Sequence, residues 1–445
     1  MNVTHQIANY IQTAEYDGFP EVVIEKAKLC LLDWIGVTLA GAREPISDVM
    51  FDLASVVGGG EQATIVGRGT KTNVLLASLI NGTNAHALDF DDVHIESPGH
   101  PSAPIIPATL SLAESRHFSG RNFITSFIVG VQVFFSVGAA NLPFHYDEGW
   151  HNTGTVGHVA AAAASAKLLG LTDSHLVNAL GIGTTQAAGI KNVFGTMCKP
   201  FHAGKAAMDG LLAALLAEKG FTSSEDAIGG HGGFLDVYSS KSHPEALEKA
   251  LNDGFCIEDV RFKRYPSCFA THPAIDCMLS LRNQYEINSE NIAEILCIAY
   301  PRCLEIAAIP EPGTGLEGKF SVQYCLALAL HEGKLLLESF NDAKVKEPSL
   351  TSVMKKVKFA SEQSYQQTRT SEVIIKFRDG KSIQEKVSLS ELLSDPEREK
   401  ADVTQKFRDI TYALMPKKSA DRILESVNSL EEIDNMADLV ALCRF

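Results

Sequence analysis

Between Leu88 and Pro101 the chain reads LDFDDVHIESPGHP, which gathers Asp89, Asp91, Asp92, Glu96, His94 and His100 into one short stretch. Two chemistries use such a set. Clustered carboxylates hold a hard divalent ion, and a carboxylate beside an imidazole makes a proton-transfer pair. Ion-assisted diphosphate chemistry needs a second carboxylate motif on a facing helix, and the sequence has none. The two histidines also mix nitrogen into an oxygen ligand set that a hard ion would prefer pure. No metal is therefore expected. Pro98, Gly99, Pro101 and Pro104 forbid continuous helix, so His100 falls on a stiff loop leading into IIPATLSLAESR. A rigid loop ahead of a helix is a good place to hold an imidazole near a substrate, whereas Asp91, Asp92 and Glu96 are expected to cap or solvate the loop.

Three further segments put imidazoles or cations just ahead of apolar helical stretches. EGWHNTGTVGH carries His151, TMCKPFHAGKAAMDG carries Lys199, His202 and Lys205, and RFKRYPSCFATHPAID carries Lys263, Arg264 and His272. The positive end of a helix dipole favours anions at such places. With a formal charge of −15, the chain needs local cations of this kind to bind an anionic molecule, and it lacks the basic face that nucleic acid or an anionic membrane surface requires. GIGTTQAAG begins like a dinucleotide fingerprint, but its third glycine is displaced and no strand precedes it; GxxxxGK[ST], HExxH and GxSxG do not occur.

These segments must be positioned by a largely helical scaffold. Apolar spacing predicts helices over 21–41, with Val23, Ala27, Cys30, Leu31, Trp34 and Ile35 on one stripe and Gly41 as a stop, and over 154–171 and 204–220, where Ala and Gly permit close packing. Asp173 and Ser223 are expected to cap further helices. Near residue 256 short β-branched runs begin, and Asp379-Gly380 between two of them signals a hairpin. After 395 the pattern is helical again. The expected fold class is mainly α: a large helical domain from residues 1–264 with 396–445, and a smaller α+β lid domain over 265–395. The apolar run 122–144 contains Gln132 and lacks basic flanks, so it is expected to be a buried core helix rather than a membrane span. Nine cysteines without a CxxC pair suit reduced thiols, and no signal peptide is read at the N-terminus, so a cytoplasmic protein is expected.

DWIGVTLAG, NGTNAHALDFDDVH, GHPSAPIIPA, GWHNTGTVGHVAAAAASAKLLGL, MCKPFHAGKAAMDGLLAALLAEKGF and RYPSCFATHPAID, in this order, resemble the MmgE/PrpD family. The resemblance implies a homodimer of two-domain subunits with a cofactor-free site between the domains. It implies action on a small polycarboxylate: decarboxylation of cis-aconitate to itaconate first, with dehydration of 2-methylcitrate, epimerisation of iminodisuccinate or a silent polycarboxylate binder as alternatives. It carries function onto Asp89, His100, His151 and Tyr324 as catalytic residues, and onto Lys199, His202 and His272 as substrate-binding ones. Lys199 and His272 would clamp carboxylates, His100 and His151 would do acid–base work, Asp89 would fix one imidazole's tautomer, and Tyr324 would bring a proton to carbon. The cis-aconitate decarboxylases resemble DFDDT at the first motif; this chain has Val93 where that threonine stands.

Overall fold

A computed structural model describes residues 2–94, 97–307, 309–392 and 395–444; Glu96 of the acidic stretch lies outside them. The chain folds as two compact units, Met1–Phe262 with Asp402–Phe445, and Lys263–Ala401. The first crossing falls two residues ahead of the expected boundary. The return crossing falls after Ala401, inside the helix Pro396–Leu414 rather than before it.

Unit 1 is helical, with two short antiparallel strand pairs, Ala63–Ile65 with Thr70–Thr72 and Val93–His94 with Val260–Arg261. The helix Glu21–Gly41 ends at its expected glycine but is buried on nearly every side from Lys26 onward, so the apolar stripe is only part of its buried surface. Gly120–Asn141, long and apolar enough to cross a membrane, is buried within the protein along nearly its whole length and carries the core residues Phe123, Phe127 and Phe134. Asn152–Leu168 is buried almost throughout.

Close backbone approach brings two site-bearing helices together. A Cβ built on Gly82 of Val74–His86 would stand 2.8 Å from the Gly204 Cα of Cys198–Glu218. Only hydrogen at both positions allows that spacing, and it sets Lys199 at the start of one helix beside the residues that follow the other. Two expectations change here. Ser223 caps no helix; it sits in a turn-rich segment, where its N–H donates to Asn178 Oδ1. The helix after His100 begins at Ser102, with Pro104 in its first turn, where a missing N–H costs nothing.

Unit 2 is α+β. Ile292–Ala299 is flanked by Val357–Ser361, in parallel, and by Thr370–Phe377, which is antiparallel and continues into Ser382–Ser388. The last two strands form the hairpin expected at Asp379-Gly380, with Gly380 at φ +88°. The helices His272–Gln284 and Val322–Glu332 share the unit's core with the sheet.

Candidate active site

The acidic stretch begins where Val74–His86 ends. Ala87 caps the helix, and Asp89 turns the chain in the left-handed region at φ 51°, a conformation Asp tolerates better than most residues. The turn is held by the Asp89 N–H donating to the His86 carbonyl at 3.2 Å. From there the Asp89 carboxylate meets the Lys199 ammonium at 2.8 Å, with both side chains about nine-tenths buried. Lys199 also lies 5.4 Å from the centre of the Phe194 ring.

His100 stands on the other side of Asp89, its Nε2 3.9 Å from Asp89 Oδ1. Its Nδ1 lies 2.7 Å from the Asp92 carbonyl and 3.2 Å from Asp91 Oδ2. A carbonyl oxygen only accepts, so Nδ1 carries the proton and Nε2 is left toward Asp89 and Lys199. This corrects the role expected of Asp89. The His100 tautomer is fixed by the Asp92 backbone with Asp91 alongside, and Asp89 instead neutralises Lys199. The His100 backbone is pinned in turn, its N–H donating to Thr153 Oγ1 at 3.0 Å.

The sequence reading missed His86. Its Nδ1 sits 2.8 and 2.9 Å from the two Asp91 oxygens, and its ring centre is 4.4 Å from that of His100 and 6.0 Å from that of His151. Burial pushes the imidazole down to about 4 despite the Asp91 charge, so it is neutral at physiological pH. Burial would raise the Asp91 carboxyl, but the His100 and His86 imidazoles outweigh it and hold Asp91 well below the usual carboxylate range. Nδ1–H therefore points at a carboxylate, and the buried Nε2 lone pair has no hydrogen-bond partner among the described residues. A signal was available: Ser78, Asn81, Thr83, Asn84 and His86 are polar residues on an otherwise apolar helix, all of them buried.

His151 occupies the cap position of Asn152–Leu168, as its glycine-flanked turn predicted, with its N–H donating to the Gly189 carbonyl at 3.0 Å. Its Nδ1 is 3.0 Å from Nδ1 of His202, on the second turn of Cys198–Glu218. Burial first and then the nearby Lys199 charge hold His151 well below the usual histidine range. Unit 1 thus brings together Asp89, His100, His151, Lys199 and His202, and adds His86 and Asp91.

Other expected groups have surroundings of their own. His94 packs its ring 3.6 Å from that of Phe135. Lys205 pairs with Asp209, which also meets His158 Nε2 at 3.1 Å. In unit 2, Arg264 and the Tyr265 hydroxyl both bind Asp276, so Arg264 braces its own unit. His272 is the buried first residue of its helix, ringed by Tyr265 and Phe269 at 5.1 and 4.9 Å. Tyr324 is fully buried in the unit 2 core, where its hydroxyl donates to the Ser339 carbonyl and burial raises the phenol pKa. A phenol committed in this way does not fit the expected proton delivery to carbon.

Asp92 lies deepest. Burial pushes its carboxyl up to about 8 against the stabilising Ser102 hydroxyl bond, and Asp33 and Asp91 add like charge. Because an aspartate in an unfolded chain titrates near ~4, the folded protein holds a proton there that the unfolded chain loses. On this group's account stability is greatest below about pH 4 and falls as pH rises through about 8. We expect Asp92→Asn, which mimics the protonated acid, to flatten the decline in Tm between about pH 4 and about pH 8; an unchanged slope would clear Asp92.

His86, Asp89, Asp91 and His100 each offer a ligand-type atom within 4.8 Å of the others. The Lys199 ammonium pairs with Asp89, and the Nδ1 atoms of His86 and His100 both face Asp91. The arrangement is a buried cation with two imidazoles of fixed orientation, a site suited to moving a proton beside an anchored carboxylate.

The helical unit thus gathers a buried ammonium and several imidazoles, groups of the kind that do acid–base work on an anion. The chain belongs to the MmgE/PrpD family: residues 5–247 match its N-terminal domain and residues 265–432 its C-terminal domain. It is 27% identical to a cis-aconitate decarboxylase of Aspergillus terreus, over 99% of this chain and 95% of that protein. It is 26% identical to the mouse cis-aconitate decarboxylase over 100% of this chain and 93% of the other, and 23% identical to the 2-methylcitrate dehydratase of Escherichia coli K12 over 79% and 76%.

Proposed function

We propose that the chain is a carboxy-lyase of the cis-aconitate decarboxylase type, turning cis-aconitate into itaconate and CO2 without a cofactor. The observation that carries this reading is the Lys199–Asp89 pair, 2.8 Å apart, with His100 Nε2 3.9 Å from the same carboxylate oxygen. An ammonium has three donors, and Asp89 takes one, so Lys199 can also meet a substrate carboxylate. Breaking the bond between the saturated carbon and its carboxylate sends the electron pair into the adjacent double bond. The charge spreads toward the remaining carboxylates, where a buried cation stabilises it best. Protonation at the far end of the allyl system then leaves the terminal methylene of itaconate. His151, and His100 once its Nε2 is protonated, are the acid–base groups of that step.

Similarity to the decarboxylases over the whole chain, against 79% for the dehydratase, supports decarboxylation ahead of dehydration. Dehydration of 2-methylcitrate is the second reading, favoured by Val93 in place of the decarboxylases' threonine; Val93 lies in the short strand paired with Arg261. Comparing kcat/KM for the two substrates tests the order: at least tenfold in favour of cis-aconitate is expected, and the reverse preference would overturn it. Treatment with EDTA is expected to leave turnover unchanged. Activity that disappears and returns with an added divalent ion would make the His86, Asp89, Asp91 and His100 cluster a metal centre. A homodimer is carried over from the family resemblance, and light scattering checks it. A cytoplasmic setting is supported by nine cysteines without a disulfide, most of them buried.

A further inference from the structure

The decarboxylation proposed above consumes one proton per turnover, because the electron pair released with CO2 ends in a new C–H bond. His86, His100, His151 and Lys199 are all buried, so that proton must be resupplied from water through the protein. One contact is suited to this. His151 Nδ1 and His202 Nδ1 lie 3.0 Å apart, and His202 is only part-buried where His151 is 2% exposed.

Two nitrogens at this distance share one proton, so one neutral ring is the Nδ1–H tautomer and the other presents its lone pair. The rings are held close by glycine. A Cβ on Gly189 would stand 3.2 Å from His202 Nδ1, and one on Gly154 would stand 3.2 Å from the His202 Cβ and 2.6 Å from the Ala188 carbonyl. The charged and titratable groups that face His202 are His151, His158 and Lys199; those that face His151 are Lys199, His86, His202 and His100. None is a carboxylate that would trap an imidazolium. Burial, with His158 and Lys199, pushes His202 down to about 4. Both rings therefore rest neutral, each with one N–H to give and one lone pair to receive.

We propose that His202 is the solvent-side entry of a two-imidazole relay, passing a proton through His151 to the far carbon of the allyl system left when CO2 departs. This rests on the decarboxylase reading. His151 gives its Nε2 proton to the allyl carbanion and takes the Nδ1 proton of His202. His202 then takes one at Nε2 from water or a buffer acid. One C–C bond breaks, one C–H bond forms, and each ring ends as its opposite neutral tautomer, which re-equilibrates before the next turnover. His202 acts through His151 and is a positioning and relay residue rather than a catalytic one.

The test compares the wild-type protein with His202→Asn in weakly buffered solution, with and without added imidazole. Expected is a fall in kcat of about tenfold with KM nearly unchanged, a larger solvent deuterium isotope effect on kcat, and recovery toward the wild-type rate as imidazole is added. An unchanged kcat would overturn the relay, and so would a reduced kcat that imidazole does not restore, which marks a packing role. Should the asparagine variant not fold, His202→Gln replaces it with the same readouts. A wild-type protein silent on cis-aconitate overturns the decarboxylase reading and the relay with it. An active wild type with an unaffected variant overturns the relay alone.

Discussion

His100→Ala lowers kcat for cis-aconitate by about 10²–10⁴-fold while leaving the helical circular dichroism of the protein intact. The loss should fall on kcat rather than KM, because the imidazole works on a proton whose transfer is realised only in the transition state. The structure gives the reason for singling out this ring. Its Nδ1 is fixed on the Asp92 carbonyl at 2.7 Å and its backbone on Thr153, so Nε2 is held toward Asp89 and Lys199 rather than left to rotate. His100→Gln restores a polar group of similar reach but no titratable proton, and should recover stability without recovering rate. A loss under tenfold in the alanine variant would remove His100 from the chemistry.

Lys199→Met is the second large effect, and it separates catalysis from stability. Loss of a buried cation that offsets developing carboxylate charge is expected to lower kcat/KM by about 10²–10³-fold. The same substitution strands the Asp89 carboxylate, whose partner at 2.8 Å is gone. Breaking a buried pair from one side costs about 3–5 kcal/mol, read here as a drop in Tm. Adding Asp89→Asn to Lys199→Met should return most of that stability, since the uncompensated charge is removed, yet leave the protein inactive. Activity restored in the double variant would show that Lys199 serves the fold and not the substrate.

Much of this was legible in the sequence where local chemistry decides structure. Asp379-Gly380 announced its hairpin because only a few residue types accept the backbone of a tight turn, and Gly380 takes φ +88° there. His151 announced its cap position through flanking glycines and the helical pattern after it. What failed was pairing at a distance. Lys205 and Arg264 looked like substrate cations, but Asp209 one helical turn along and Asp276 on the following helix claim them. The Lys205–Asp209 spacing could have been read in advance as an i, i+4 pair; the Arg264–Asp276 contact needs the fold. Ser223 had the residue type of a cap without a helix to follow. Asp91 and Asp92 looked like solvated loop acids, yet they lie fully inside, one held ionised by two imidazoles and the other pushed toward its neutral form. Burial of that kind is set by the elements packed around the loop, above all Glu21–Gly41 and Pro396–Leu414, whose Asp33 and Lys406 are paired at 2.6 Å while the Lys406 ammonium lies over the Phe90 ring. No spacing within the stretch records it.

In the proposed reaction an imidazole site beside Lys199 returns a solvent-derived proton to the carbon skeleton of cis-aconitate as CO2 leaves. Proton NMR of the EDTA-treated protein with cis-aconitate in D₂O tests it most directly. The expected product is itaconate carrying one deuterium on the methylene next to its carboxylate, with the terminal methylene unlabelled. Recovery of unchanged cis-aconitate, or label elsewhere in the product, would contradict it.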